Sequence, residues 1–95
     1  MNENQRYRAC NNFTVSEVAG EKVILPISNS VDTLNNLFVL NDTGAFIIDL
    51  LMQGKSVAEI VLQLTSTYDV DSSTALADVS EYVQDVVSRG FFVEI

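Results

Sequence analysis

The feature that most constrains this chain is the break at Asn41-Asp42-Thr43-Gly44, because the hydrophobic pattern differs on its two sides. Before the break the apolar residues come in short β-rich runs: Phe13, Val15 and Val18, then Val23, Ile24, Leu25 and Ile27, then Leu37-Phe38-Val39-Leu40. After it they recur at helical spacing, as in Val57, Ile60, Val61 and Leu64. A chain that places its strands first and its helices afterwards, without alternating them, does not build a parallel βαβ sheet; it reads as α+β. With 95 residues there is room for one such core.

Turn and cap residues divide the chain further. Ala19-Gly20 punctuates two β-rich runs, Asn12–Val18 and Glu21–Ile27, so these are read as a hairpin. Pro26 has no N–H and belongs at an edge or a bulge. Ser28 to Asn36 reads as a polar loop leading into a third strand, Leu37–Leu40. Asn41 and Asp42 are good N-caps for a helix over about Thr43–Gln53 that is apolar on most sides, with Gly54 as its stop. Asp42-Thr43-Gly44 is accordingly a helix cap and tight turn. Ser56 and Glu59 have the spacing of a capping box and open a second helix to about Ser66. Asp71, Ser72 or Ser73 caps a third helix that runs to about Arg89 and is closed by Gly90.

The expected fold is therefore an α+β winged helix-turn-helix. It has an N-terminal three-stranded antiparallel sheet, three helices and a short C-terminal apolar tail, Phe91-Phe92-Val93, able to form a wing strand. Residues 1–11 are polar and are expected to be a flexible N-terminus, with 12–95 as the folded domain.

Charge and composition exclude several functions. There are 13 acidic and 5 basic side chains, no His and one Cys, for a net charge of −8. Binding nucleic acid needs clustered Lys and Arg, whereas the second and third helices carry Arg89 as their one cation, against Glu59, Asp78, Glu81 and Asp85. An anionic membrane is disfavoured by the same sign. Without His and with one Cys, neither a Ser-His-Asp triad nor the usual zinc sites can form, so no transition metal is expected. The lone thiol of Cys10, and a polar Met1–Cys10 with no apolar core, point to a cytoplasmic protein. Neither Ala45–Ile48 nor Leu50–Met52 approaches the roughly 20 apolar residues of a bilayer span.

At about 100° per residue the third helix shows two adjacent apolar lines. Ala75, Val79, Tyr82 and Val86 form one; Leu76, Val83 and Val87, with Ser80 beside them, form the other. The arc is wider than one seam needs, so one line is expected to pack inward and the other to border a groove. Asp78, Glu81 and Asp85 lie opposite, as a solvated acidic face or, alternatively, an acidic docking patch.

Several segments, in order, resemble the PqqD-like family: FTVSEVAGE from Phe13 to Glu21, LNDTGA from Leu40 to Ala45, LLMQGK from Leu50 to Lys55, Glu59-Ile60-Val61, YDVD from Tyr68 to Asp71, and Asp78-Val79 followed by Gly90. The likeness covers about Phe13 to Val93 and is to the broad group; Ser28–Asn36 lacks the Pro-Glu pair common in the quinone-pathway chaperone. It implies a non-catalytic peptide chaperone with no catalytic residue and no cofactor, the recognition element of a ribosomal-peptide modification pathway. Such a protein binds the leader segment of a precursor peptide and delivers it to a tailoring enzyme, often of the radical S-adenosylmethionine type. The leader would add a strand to the third strand and settle against the third helix. On this chain the resemblance assigns peptide binding to Leu37, Phe38, Val39, Leu40, Leu76, Val79, Ser80, Val83 and Val87. An exposed edge can also pair with a second copy, giving a homodimer. The alternatives are a helix-turn-helix regulator acting on DNA and a small scaffolding subunit that holds a folded partner through the same edge.

Overall fold

The computed structural model describes residues 2–27 and 37–95. Their elements run β1 (Tyr7–Ala9), β2 (Phe13–Val18), β3 (Glu21–Pro26), β4 (Phe38–Leu40), α1 (Asp42–Met52), α2 (Val57–Thr67), α3 (Ser72–Ser88) and β5 (Phe92–Glu94). The arrangement is the expected α+β winged helix-turn-helix, with α2 and α3 joined through a short turn after Tyr68. No helix among the described residues is long and apolar enough to cross a membrane.

β2 and β3 pair antiparallel along their whole length, from Phe13 opposite Pro26 to Val18 opposite Glu21. The two residues between them, Ala19 and Gly20, have φ of 52° and 83°. Two successive positive φ values give a turn whose twist matches that of the strands; Gly20 adopts it freely and Ala19 does so against the crowding of its Cβ. β4 lies on the other side of β3, with Lys22, Val23 and Ile24 opposite Leu40, Val39 and Phe38, so the sheet order is β2-β3-β4. This ladder stops short of Pro26, which has no N–H to contribute to it.

Each helix begins on a side-chain cap. Asn41 Oδ1 accepts from the Gly44 N–H at 2.7 Å. At α2 the box is reciprocal, the Ser56 N–H donating to Glu59 at 2.9 Å and the Glu59 N–H to Ser56 at 3.3 Å. Of the three residues that could cap α3, it is Asp71 that accepts, from the Thr74 N–H at 2.7 Å. The core lies between the helices and one face of the sheet: Ile24 and Leu40 meet Ile47, Ile48 and Leu51 of α1, Ile60 and Leu64 of α2, Val79, Val83 and Val86 of α3, and Phe92.

The N-terminus departs from the expectation of a flexible segment over residues 1–11. Tyr7–Ala9 pairs antiparallel with Phe92–Glu94, and Tyr7 is only 4% exposed. The flanks are tied down as well, by Cys10 N–H to Phe91 O at 2.8 Å, Asn12 Nδ2 to Gly90 O at 2.9 Å, and an Arg6–Glu59 ion pair at 2.8 Å. The apolar tail supplies the reason, because Phe91 and Phe92 are buried against Phe13 and their strand needs a hydrogen-bonding partner. The polar loop expected over 28–36 lies outside the described residues.

Candidate functional site

Among the described residues β4 has a strand partner on one side only, β3. Between Phe38 of this strand and α3 lies a groove of about 310 Å³. From the strand side the lining is Phe38 with Asn41 and Thr43 just beyond it; from the helix it is Asp78, Glu81, Tyr82 and Asp85. The helix residues fall at i, i+3, i+4 and i+7 and so form one stripe. Phe38 and Tyr82 make the aromatic floor, their ring centroids 6.3 Å apart. Arg89 continues the stripe and sets its guanidinium over the Phe38 ring, 4.6 Å from the centroid.

One atom ties these elements together. Asn41 Oδ1, which caps α1, also accepts from the Tyr82 hydroxyl at 2.9 Å. The phenol can reach it because position 44 has no side chain; a Cβ there would lie 2.6 Å from the Tyr82 ring carbon and hydroxyl. Gly44 is therefore the socket into which α3 plugs its tyrosine. Burial pushes the Tyr82 phenol above its ordinary pKa, and the charges of Asp78, Glu81 and Asp85 push it further.

Of the residues assigned from the resemblance, those of the strand lie at this edge. Leu37 and Phe38 are half-buried and Val39 is 51% exposed, while the Leu40 side chain is in the core at 4%. The helix residues are not brought to the groove. Val79 and Val83 are core residues, 0% and 1% exposed. Val83 and Val87 border a separate concavity of about 330 Å³ on the flank of α3 that faces Tyr7, Gln5 and Glu94. Leu76 and Ser80, both half-buried, share that flank by helical angle. It lies about 180° around the helix from the Asp78–Asp85 stripe. The acidic residues, expected as a solvated face or an acidic docking patch, line the groove in their place. Their i, i+3, i+7 spacing was visible in the sequence, but the direction in which the stripe points was not. Among the described residues no cluster of His, Cys, Asp and Glu is arranged to hold a metal ion.

Comparison with known proteins gives two kinds of result. The family described as coenzyme PQQ synthesis protein D (PqqD) matches residues 21–91. Two solved structures share the fold. One, a lasso peptide synthetase B1 complexed with the leader peptide, superposes with a TM-score of 0.76 at 26% identity over 93% of this chain and 98% of that one. The other, TbiB1 in complex with the TbiA(beta) leader peptide, has a TM-score of 0.72 at 22% identity over 90% and 93%. No curated protein matches the chain.

Proposed function

The chain belongs to the PqqD family, and from that premise we propose that it binds the leader segment of a ribosomally made precursor peptide and delivers it to a separate modifying enzyme, without catalysing a reaction itself. The observation that carries this reading is β4, which among the described residues is paired on one side only and lies beside the α3 groove, in a fold whose solved neighbours are complexes with leader peptides. An extended peptide entering there exchanges water for main-chain hydrogen bonds to β4, each worth about 0.5–1.5 kcal/mol net. Side chains on its inner face meet Phe38, Tyr82 and the α3 stripe, and these set which peptide is held. Ordering a flexible peptide offsets part of the gain, which suits reversible delivery. The receiving enzyme is of the radical S-adenosylmethionine type or, following the likeness to a lasso peptide synthetase component, a lasso peptide synthetase.

The test is an amide-resolved NMR titration of the intact protein with synthetic peptides covering the N-terminal segments of the short reading frames that flank its gene. Saturable shifts concentrated at Phe38–Leu40, Asn41, Tyr82 and Arg89 are expected. Shifts confined to the Tyr7, Val83 and Val87 flank would move the site to the other side of α3, and absence of binding would remove the reading.

A further inference from the structure

The wall that α3 gives to the β4 groove is anionic. Asp78, Glu81 and Asp85 all line it. Among the described residues none of the three has a cation within ion-pair distance; the salt bridge found there joins Arg6 to Glu59 elsewhere. Arg89, next on the same stripe, is engaged with the Phe38 ring. Asp78 and Asp85 are half-buried, so solvent screens them less than it would on an open face. The carboxylates alone would be an ordinary acidic surface. Here they form one side of a groove whose other side is the Phe38 end of β4, a strand with no second partner among the described residues, and whose floor is two aromatic rings. An occupant of that groove must run its side chains along them.

Resting on the peptide-binding reading, we infer that the groove selects an extended peptide carrying Lys or Arg at one or two alternating positions, seated against Asp78, Glu81 and Asp85. The dimensions agree. Side chains on one face of a strand recur about every 6.8 Å, and α3 rises about 10.5 Å from Asp78 to Asp85. The acidic wall therefore spans two successive same-face positions of a strand lying beside it. The rings of Phe38 and Tyr82 offer apolar surface to the methylene stems of those side chains, while the charged heads reach the carboxylates. Arg89 over Phe38 shows that this floor already holds one guanidinium within the chain itself.

The experiment uses a random peptide library displayed on phage and selected against the intact protein. The consensus binder is then made as a labelled peptide in three forms: unchanged, with each Lys or Arg replaced by Gln, and N-methylated at alternate backbone nitrogens. Each is titrated against the parent and against the D78N/E81Q/D85N protein, with E17Q/E21Q as a control for net charge. Selected peptides should show Lys or Arg at alternating positions. Neutralising the peptide, or the three carboxylates, should each weaken binding about tenfold, as expected for two or three partly exposed pairs. Neutralising both should cost little more than either alone, and E17Q/E21Q should stay near the parent. Selected peptides without basic residues, or equal binding by D78N/E81Q/D85N, would overturn the inference while leaving the groove intact if N-methylation still abolishes binding. Binding that survives N-methylation would overturn the strand-addition reading itself.

Discussion

The contact of Tyr82 with Gly44 makes an unusual demand on mutagenesis: one substitution should change sign with its background. Gly44→Ala places a methyl 2.6 Å from the Tyr82 ring carbon and hydroxyl. Position 44 is in the first turn of α1, where Ala gains up to about 1 kcal/mol over Gly from backbone entropy. Against this, the ring tip must swing away. That forfeits the hydroxyl bond to Asn41, worth about 0.5–1.5 kcal/mol. It also disturbs the Phe38–Tyr82 pair, worth about 0.5–1.5 kcal/mol. Gly44→Ala should thus be neutral to destabilising by about 2 kcal/mol in the parent. In a Tyr82→Ala background the obstacle is gone, and the same change should stabilise by up to about 1 kcal/mol. The predicted coupling is about 1–3 kcal/mol, within the range for residues in direct contact. Urea unfolding of the four proteins, read as midpoints at constant slope, measures it. If Gly44→Ala has the same effect in both backgrounds, within about 0.5 kcal/mol, Gly44 is not a socket for Tyr82 and the proposed coupling of α1, β4 and α3 is wrong.

Three further outcomes are expected. Ala19→Asn should stabilise the hairpin by about 0.5–1 kcal/mol, because Asn tolerates the left-handed φ that strains Ala; an unchanged or lower unfolding midpoint would count against the turn assignment. Val83→Asp should unfold the protein or cost about 4 kcal/mol or more, since it puts a charge where the native side chain is 1% exposed, whereas Glu81→Gln should fold normally; a stable, cooperative Val83→Asp protein would contradict the core assignment. Glu59 is held below its ordinary pKa of 4.5, first by the Ser56 N–H, and Asp71 below 3.8, first by the Thr74 N–H. With folded pKa values depressed, the unfolded chain binds more protons in that range, so stability falls as pH drops from about 5 through these values. Glu59→Gln should shallow that fall in unfolding midpoints measured from neutral to acid pH, and an unaltered pH profile would show that the cap contributes nothing there.

Much of this fold is legible residue by residue, wherever the governing interaction is local. Ser56 and Glu59 announce their capping box within four positions, Ala19-Gly20 marks the hairpin turn, and Asn41 marks the start of α1. These groups satisfy their own backbone neighbours, so short spacing is enough to find them. β1 left no such trace. Tyr7-Arg8-Ala9 is three residues in a polar segment, and its partner Phe92–Glu94 is at the other end of the chain. The groove shows the division most clearly. Its strand, Leu37–Leu40, could be read from the sequence, and so could the stripe Asp78, Glu81, Asp85. Which flank of α3 meets β4 could not, because the apolar arc from Tyr82 round to Leu76 is wide enough to pack in more than one rotation. Tertiary structure chooses the rotation that puts Tyr82 over Gly44 and onto Asn41. That buries Val79 and Val83 and turns the carboxylates toward the groove they share with Phe38 of β4, since a helix presents only one stripe to each neighbour and the best-fitting side chain decides which.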